Sequence, residues 1–292
     1  MVDKKKVAFL GLGVMGFPMA GHLANSGCDL VVYNRTTTKS EAWVSKYGGS
    51  FARTPREAAE RCDVVFTCVG NDDDVRAVVN SDEGAFNGMK EGAVLVDHTT
   101  ASANLAIELS KVAQNRGMGF LDAPVSGGQA GAENGVLTVM CGGQDKHFEA
   151  VEPIMSHYSK AVTLMGKAGA GQLTKMVNQI CIAGVLQGLS EGMNFALKAG
   201  LDPNVVVDVI SKGAAGSWQM ENRAMTMVED KFDFGFAVNW MRKDLKIVLE
   251  EAQRNKARLP ATALIDQFYA QIQDRGGTRW DTSSLIHLLT KE

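Results

Sequence analysis

Short apolar runs alternate with longer amphipathic stretches in the first half of the chain. The apolar runs predict buried strands at residues 7–10, 30–33, 64–69, 94–97, 119–122 and 136–141. Amphipathic periodicity predicts helices at residues 15–26 and 103–116, and Thr54, Pro55 and Glu57 predict a capped helix start. Strands that alternate with helices form a parallel sheet with helices on both faces, so we expect a doubly wound α/β domain of the Rossmann type.

Strand signals end near residue 166, and helical periodicity continues from there. Residues 174–199 predict one long helix. Small residues recur at every fourth position on one side of that helix: Gly184, Gly188, Gly192, Ala196 and Gly200. Such a stripe lets another helix approach closely, across domains or subunits, and a homodimer or homotetramer is expected. We predict a dinucleotide-binding domain at residues 1–165 and an all-helical substrate and oligomerisation domain at residues 166–292.

Composition narrows the class of protein. The 292 residues carry a net charge of −3, with 45% hydrophobic and 22% charged side chains, as in an ordinary globular protein. No basic face suggests nucleic acid, and Gln187, Glu191 and Lys198 interrupt the long apolar helix, which argues against a membrane span. Five cysteines without paired spacing and an N-terminus without signal-peptide features predict a cytoplasmic protein. The five scattered histidines predict no metal site.

The most specific local motif is Gly11-Leu12-Gly13-Val14-Met15-Gly16, which follows the first predicted strand and opens the first predicted helix. In this context a GxGxxG pattern is typical of dinucleotide binding. Gly11 permits a tight turn, Gly13 lets the backbone reach a pyrophosphate, and Gly16 lets the helix pack on the strand. We therefore expect these six residues to bind a dinucleotide whose phosphates face the helix N-terminus.

The end of the second strand selects between NAD and NADP. An acidic residue there binds the 2′-hydroxyl of NAD, but this strand ends in Tyr33-Asn34-Arg35-Thr36 without a carboxylate. Arg35 can pair with a 2′-phosphate, and Asn34 and Thr36 can donate hydrogen bonds to it. The sequence therefore favours NADP(H), with NAD(H) as the alternative if Arg35 is only a solvated loop charge.

Two further segments carry candidate chemistry, and the first is Asp122-Ala123-Pro124-Val125-Ser126-Gly127-Gly128. It lies at the C-terminal end of a predicted strand, where open α/β sheets bind ligands. The Ser126 hydroxyl and the backbone N–H groups of Gly127 and Gly128 suit a carboxylate. An ordinary Pro/Gly turn is the alternative interpretation.

The second segment, residues 166–179, places Lys175, Asn178 and Gln179 on one helix face. Apolar neighbours imply that this helix is buried, and a buried lysine needs a partner or a function. A positioned ammonium can protonate the alkoxide that hydride transfer to a carbonyl produces. A surface lysine at a helix start is the alternative.

Together these motifs resemble the β-hydroxyacid dehydrogenase family over essentially the whole chain. That family includes 3-hydroxyisobutyrate dehydrogenase, tartronate semialdehyde reductase and the glyoxylate/succinic semialdehyde reductases. Residues 11–20 are similar to its cofactor signature, residues 122–128 to its substrate signature, and residues 166–179 to its catalytic-lysine signature.

The resemblance implies a role for each motif. Lys175 would be the general acid/base, and Ser126, Gly127 and Gly128 would hold the substrate carboxylate. The family often carries Asn four residues after the lysine. Here that position is Gln179, and Asn178 lies one residue earlier, so either amide can orient the substrate.

Further site residues follow from the same resemblance. Val69 and Gly70 occupy the place of a loop over the cofactor, and Thr100 occupies a strand end on the nicotinamide side. Three residues resemble the C-terminal contributions to the closed, cofactor-bound site: Phe236, Lys243 and Asp244. Lys243 would touch cofactor or substrate, and a salt-bridged helical lysine is the alternative.

The resemblance thus implies an NADPH-dependent oxidoreductase that interconverts short-chain aldehyde or keto acids and hydroxy acids. The alternatives are an NAD-dependent 3-hydroxyisobutyrate dehydrogenase, an imine reductase on the same scaffold and a non-catalytic dinucleotide-binding protein. Imine reductases usually carry Asp or Tyr where Lys175 stands, and 6-phosphogluconate dehydrogenases have a larger helical domain than this chain, so both are disfavoured. Several acids, among them glyoxylate and the succinic, tartronate and methylmalonate semialdehydes, fit a carboxylate clamp and a lysine.

Overall fold

The structure is a computed structural model that describes residues 5–291. The chain divides between Lys175 and Met176 into two compact units. The first unit contains the sheet and the second consists of helices, which confirms the predicted fold class. The boundary predicted between residues 165 and 166 falls at the end of the last strand.

Among the described residues, the first unit contains one nine-stranded sheet. Its strands are β1 (Lys6–Leu10), β2 (Asp29–Tyr33), β3 (Ser50–Phe51), β4 (Val64–Thr67), β5 (Val94–Asp97), β6 (Gly119–Asp122), β7 (Val125–Ser126), β8 (Leu137–Gly143) and β9 (Ser159–Gly166). Their spatial order is β3-β2-β1-β4-β5-β6-β8-β7, and β9 pairs with β8. The strands from β3 to β6 in this order are parallel, whereas β8 runs antiparallel to both β6 and β7. The carboxyl ends of the parallel strands therefore share one edge, where ligands of such sheets bind.

Helices connect these strands, and several begin at a side-chain cap. They are α1 (Gly16–Asn25), α2 (Thr37–Tyr47), α3 (Pro55–Ala59), α4 (Asp72–Val79), α5 (Ala103–Asn115), α6 (Gly128–Glu133) and α7 (Asp145–Met155), with a 3₁₀ turn at Ala85–Asn87. The side chains of Thr54, Asn71 and Ser102 each accept a hydrogen bond from a first-turn N–H group. The Glu57 carboxylate accepts the N–H of Arg53 at 3.0 Å, so the predicted capping box closes one residue earlier than expected.

Each face of the sheet buries its own apolar cluster, because alternate residues of a strand point to opposite faces. Val7 and Phe9 of β1 pack with Trp43 of α2 on one face. Ala8 and Leu10 pack on the other face with residues of α3 and α5. Helices thus cover both faces, as the doubly wound interpretation requires.

The regular elements of the second unit are helices throughout its described residues, apart from an isolated bridge between Ala237 and Asp281. Its helices are α8 (Ala170–Lys198), α9 (Pro203–Ile210), α10 (Trp218–Val228), α11 (Val238–Asn255), α12 (Pro260–Asp274) and α13 (His287–Thr290), with 3₁₀ turns at Gly277–Arg279 and Thr282–Ile286. Leu186, Leu245 and Tyr269 share one buried cluster, which joins α8, α11 and α12. Helix α8 starts in the first unit and continues through the second, so it belongs to both.

Helix α8 begins at Ala170, four residues earlier than predicted, and runs for 29 residues. By length and composition it could cross a membrane, a property that it shares with core helices of soluble proteins. A Cβ atom added at Gly184, Gly188 or Gly192 would meet no atom within 4 Å. These three glycines of the predicted small-residue stripe therefore face open space in this part of the chain, whereas Ala196 of the same stripe is buried.

The sequence predicted that β4 extends to Val69, but the strand ends at Thr67. The sequence did not predict β9. Most β9 side chains are exposed, and β9 is an edge strand that pairs only with β8 among the described strands. An edge strand carries little of the apolar run that identifies a buried one. Helices α2, α4, α6 and α7 were also missed.

Candidate functional site

The glycines of the dinucleotide loop differ in what surrounds them. Gly11 has φ +102° and donates its N–H to the Tyr33 carbonyl at 2.8 Å, and a Cβ there would overlap the Cys68 carbonyl oxygen. A Cβ at Gly16 would overlap the Gly11 carbonyl oxygen. Gly13 is exposed, with no atom within 4 Å of its Cβ position. Gly11 and Gly16 therefore serve packing, and Gly13 leaves an open backbone that fits a pyrophosphate.

The rest of the loop lies at the start of α1. Leu12 is buried, Val14 is 56% exposed, and Met15 packs partly against the apolar cluster below α1. An open groove of about 690 Å³ starts at Leu12, Gly13 and Val14 and is lined farther on by Lys39 and Lys46 of α2. These two cations received no role from the sequence, although Lys39 lies only four residues after Arg35.

Asn34 connects the dinucleotide loop to the loop that follows β2. Its Oδ1 accepts the N–H of Leu12 at 2.9 Å, and its Nδ2 donates to the Thr36 carbonyl at 3.1 Å. The side-chain amide thus holds two loops together, whereas the sequence suggested a hydrogen bond to a 2′-phosphate. Thr36 is exposed and stands at the N-cap of α2 without a side-chain cap bond.

Arg35 has an acidic neighbour that the sequence did not reveal. Its side chain is 87% exposed, and Nη1 lies 3.5 Å from Oδ1 of Asp74 in the first turn of α4. Asp74 is 39 residues away in sequence, and the only signal was the run Asp72-Asp73-Asp74 at a helix start. A carboxylate therefore does reach this corner of the site, from α4 instead of from the end of β2.

The loop after β4 is tied to the end of β5. Val69 donates its N–H to Oγ1 of Thr99 at 3.0 Å, and Thr99 donates its own N–H to Oδ1 of Asp97 at 3.0 Å. Burial raises the pKa of the Asp97 carboxyl to about 6. Gly70 and Thr100, the other residues predicted here, are half-buried at the carboxyl ends of β4 and β5. The structure thus places both predicted cofactor segments at the same sheet edge.

The substrate segment turns sharply after β6. Ser126 is half-buried and pairs with Thr138 of β8, and Gly127 and Gly128 are exposed with φ values of +132° and +62°. These are left-handed conformations that favour glycine and present backbone without side-chain cover. The geometry is compatible with a carboxylate clamp at Ser126 and the two glycines.

Two buried polar side chains, His98 and Tyr158, are hydrogen-bonded to each other, and His98 also contacts the substrate segment. His98 approaches the Ala123 carbonyl through Nδ1 at 2.6 Å and the Tyr158 hydroxyl through Nε2 at 2.8 Å. Both rings are buried, and burial lowers the pKa of His98 to about 4, so the imidazole is neutral at physiological pH. A neutral imidazole that donates from Nδ1 to the carbonyl accepts at Nε2 from the tyrosine.

The lysine-bearing helix begins beside the same segment. Asp122 accepts the N–H of Gly169 on Oδ1 at 2.7 Å and the N–H of Gln172 on Oδ2 at 2.9 Å. The Gln172 side chain donates to the Thr99 carbonyl at 2.7 Å. Lys175 follows one turn later and is 8% exposed, so it is buried as the sequence predicted.

In the second unit, four predicted site residues form one chain of contacts, in the order Asn178, Gln179, Asp244 and Lys243. Asn178 Nδ2 donates to Oε1 of Gln179 at 2.8 Å, and Gln179 Nε2 donates to Oδ2 of Asp244 at 2.6 Å. Lys243 Nζ lies 2.9 Å from Oδ1 of Asp244. The backbone N–H of Phe236, the remaining site residue predicted in this unit, donates to Oδ2 of Asp281 at 2.8 Å.

Among residues 5–291, no group of three or more His, Cys, Asp or Glu side chains could hold a metal ion. The glycine cradle fits a dinucleotide, as the open backbone at Gly13 shows.

Family models match both halves of the chain. Residues 6–166 match the NAD-binding domain of 6-phosphogluconate dehydrogenase. Residues 169–289 match a domain described as NAD-binding of NADP-dependent 3-hydroxyisobutyrate dehydrogenase. Together the two models extend over most of the sequence and agree on a nicotinamide dinucleotide as cofactor.

Full-length relatives agree with these models. An uncharacterized oxidoreductase of Shewanella frigidimarina is 62% identical over 98% of both chains. The 2-hydroxy-3-oxopropionate reductase of Escherichia coli is 34% identical over 97% of both chains. The solved structure of Mycobacterium tuberculosis 3-hydroxyisobutyrate dehydrogenase with L-serine has a TM-score of 0.88 and 28% identity, and the match covers 99% of this chain and 100% of that one.

Proposed function

The chain belongs to the β-hydroxyacid dehydrogenase family of NAD(P)-dependent oxidoreductases, and we propose that it is an NADPH-dependent reductase of short-chain aldehyde or keto acids. In the opposite direction it would oxidise the corresponding hydroxy acids. The observation that carries the proposal is Lys175, a buried lysine that follows the helix start joined to the substrate segment.

The proposed reaction uses few groups of the chain. When bound, the reduced nicotinamide supplies a hydride to the carbonyl carbon. The Lys175 ammonium donates a proton to the carbonyl oxygen, and solvent restores that proton afterwards. An aldehyde acid, NADPH and one proton thereby give a hydroxy acid and NADP⁺. In the opposite direction a neutral Lys175 amine accepts the proton of the alcohol.

Substrate binding follows from the substrate segment and from α8. The Ser126 hydroxyl and the N–H groups of Gly127 and Gly128 hold the substrate carboxylate. Asn178 orients the reacting oxygen. It is half-buried, and its Nδ2 has a second N–H besides the one that it donates to Gln179, whereas the Gln179 amide is bound at both ends and only 2% exposed. In this proposal Gln179 does not contact the substrate directly.

The preference for NADP(H) rests on Arg35 and on the groove beside it. Arg35 is exposed at the end of β2, and Lys39 lines the groove that begins at Gly13. Two cations suit a 2′-phosphate, and the end of β2 carries no carboxylate. Asp74 works against this preference, since it faces Arg35 at 3.5 Å. An NAD-dependent 3-hydroxyisobutyrate dehydrogenase is the alternative that this contact favours.

A substrate panel tests the proposed activity. Glyoxylate and the succinic, tartronate and methylmalonate semialdehydes are each assayed with NADPH and again with NADH, beside cyclic imines. We expect turnover of at least one carboxylate-bearing aldehyde and none of the imines. Turnover of imines alone would replace the proposal with an imine reductase, and NADPH binding without turnover would indicate a non-catalytic protein.

The mechanism is tested by Lys175→Ala. Removal of the proton donor should lower kcat by about two orders of magnitude or more, while NADPH still binds. Lys198→Ala removes an exposed lysine at the other end of α8 and is the matched control, with turnover near that of the wild type. Near-normal turnover of Lys175→Ala would refute the mechanism.

We also propose an assembly and a cellular location for the protein. The open stripe at Gly184, Gly188 and Gly192 supports a homodimer or homotetramer that packs on α8, and light scattering should return more than the monomer mass. The five cysteines of the protein are free in the described residues, which supports a location in the reducing cytoplasm. Fractionation of cells that produce the protein tests the location.

A further inference from the structure

We propose that Asp122 is a positioning residue for the reaction, because its carboxylate caps the lysine-bearing helix and fixes it to the substrate segment. This inference rests on the proposed function, in which Lys175 is the proton donor. Asp122 itself touches neither substrate nor cofactor in this proposal, and it acts on the rate through the position of Lys175.

The cap comes from outside the helix. Gly169 precedes the first residue of α8 and has φ +94°, a conformation that favours glycine. Glycine has no side chain, so it cannot accept the free N–H groups of the first turn. Asp122, 47 residues earlier in the chain, accepts the N–H of Gly169 at 2.7 Å and that of Gln172 at 2.9 Å. One carboxylate thus satisfies two donors with charge-assisted hydrogen bonds.

Close backbone contacts leave the helix start little freedom to shift. A Cβ at Gly142, the β8 partner of Asp122, would lie 2.5 Å from Oδ1 of Asp122. A Cβ at Gly171 would overlap the Met140 carbonyl oxygen and lie 2.9 Å from Oδ2 of Asp122. The first turn of α8 therefore packs directly on β6 and β8, with the carboxylate enclosed between backbones.

Gln172 connects the start of α8 to the segment that follows β5, residues 99–101. Its Nε2 donates to the Thr99 carbonyl at 2.7 Å, and its Oε1 accepts the N–H of Ala101 at 3.0 Å. The residue predicted to contact the nicotinamide side, Thr100, lies between these two anchors. Asp122 and Gln172 thus fix three segments relative to one another, and Lys175 follows Gln172 by about one helical turn.

The cap needs the ionised carboxylate. Both carboxylate oxygens of Asp122 accept backbone N–H groups. A proton on either oxygen would place an O–H donor against an N–H donor. Burial raises the pKa of Asp122 to about 6, while the two N–H groups oppose that rise. The amide of Asp122→Asn has the same shape but keeps a single acceptor, so one of the two N–H groups would meet another donor.

A double-mutant cycle distinguishes positioning from general destabilisation. Single-turnover oxidation of NADPH is followed in the wild type, Asp122→Asn, Lys175→Ala and the double variant, with excess enzyme and a responsive aldehyde acid. We expect Asp122→Asn to slow hydride transfer by about 10- to 100-fold in the wild type, as a displacement near 1 Å does. In the Lys175→Ala background the same change should cost less than about 2-fold, because the group it positions is already absent.

Asp97→Asn is the matched control. Asp97 is the β5 partner of Asp122, is equally enclosed, and also has a pKa raised to about 6 by burial. Its oxygen accepts Thr67 and Thr99 instead of the helix start. Asp97→Asn should slow hydride transfer by the same factor with and without Lys175. NADPH affinity, measured by fluorescence titration, should stay within about 2-fold of the wild type in Asp122→Asn.

Equal fold-losses from Asp122→Asn in both backgrounds would overturn the positioning role. If Asp122→Asn does not fold, Asp122→Ser keeps one oxygen acceptor in a smaller side chain and replaces it in the cycle. Near-normal turnover of Lys175→Ala would instead overturn the proposed function, whatever Asp122→Asn does. The two failures are therefore distinguishable.

Discussion

Gln179 donates its side-chain N–H to Oδ2 of Asp244 at 2.6 Å, and its Oε1 accepts the amide of Asn178 at 2.8 Å. Both ends of the Gln179 amide are thus engaged inside the second unit. Lys243 lies 2.9 Å from the other oxygen of Asp244, which completes a polar chain along α8 and α11. Asn178 is half-buried, whereas Gln179 is 2% exposed. This relationship separates two adjacent amides whose roles the sequence left open.

Asn178→Ala and Gln179→Ala should therefore have opposite signatures. Asn178→Ala should lower kcat/KM for the aldehyde acid by about 10-fold with little loss of stability, because a polar contact to substrate is removed. Gln179→Ala should lower the free energy of unfolding by about 1–3 kcal/mol, because Asp244 loses a buried donor. Urea denaturation and steady-state kinetics measure both quantities, and the reverse assignment would show that Gln179 contacts the substrate.

Arg35 and Asp74 should tune cofactor choice in opposite directions. Arg35→Ala removes a charge-assisted contact worth about 1.5–3 kcal/mol, so the KM for NADPH should rise roughly 10- to 100-fold. Asp74→Asn removes the competing carboxylate, and the KM for NADPH should fall by up to about 5-fold, the range of an exposed ion pair.

The KM for NADH is the internal control for this pair, since NADH has no 2′-phosphate. It should change little in Arg35→Ala, and thermal stability should stay near that of the wild type in both variants because the pair is exposed. Equal changes in the KM for NADPH and NADH would mean that Arg35 does not read the 2′-phosphate.

Two glycines of the dinucleotide loop should respond differently to the same substitution. Gly16→Ala places a methyl group on the Gly11 carbonyl oxygen and should lower the free energy of unfolding by about 1–3 kcal/mol. Gly13→Ala has open space, so the protein should fold normally but bind the dinucleotide at least about 10-fold more weakly. Thermal melts and fluorescence titration with NADPH separate the effects, and normal NADPH binding by Gly13→Ala would contradict the assigned pyrophosphate contact.

His98 should make folding sensitive to mild acid. Its pKa is lowered to about 4 in the folded protein, below the ordinary value near 6.5, so protonation favours the unfolded chain. The stability that the neutral imidazole contributes is present above pH 6.5 and is lost as the pH falls toward 4. Each unit of pKa shift corresponds to roughly 1.4 kcal/mol.

The measurement compares wild type with His98→Gln in urea at a series of pH values. Asp97 and Asp122 have pKa values raised to about 6, so they add stability as the pH falls through 6 and oppose the histidine in the same window. They are present in both proteins and cancel in the difference. A difference in unfolding free energy that is constant from pH 7 to 4.5 would contradict a neutral buried His98.

Strong local patterns predicted the frame of the sheet. The strands β1, β2, β5 and β6 are short apolar runs between glycines and polar turns, and each stands where the pattern placed it. Helix α2 was missed because only Ser40 and Trp43 are buried along it, so its sequence carries almost no amphipathic signal. The dinucleotide loop was identifiable because strand, glycines and helix lie in one continuous segment.

The contacts that define the candidate site join residues far apart in sequence. The sequence identified Arg35 and Asp122, but their partners Asp74 and Gly169 lie 39 and 47 residues away. No periodicity encodes such pairs, because they depend on which strand ends become neighbours at one sheet edge. Residue types were therefore predictable in this region, while hydrogen-bond partners required the fold.

Asn34 has a consequence for redesign of cofactor choice. Its amide joins Leu12 to Thr36, so the glycine-rich loop after β1 and the loop after β2, which we propose contact the dinucleotide, are held to each other by one side chain. An exchange of Asn34 for an acidic residue, the obvious route toward NAD, would break the bond to the Thr36 carbonyl. Specificity engineering should therefore change Arg35 or Asp74, because neither side chain takes part in the two Asn34 hydrogen bonds that hold these loops together.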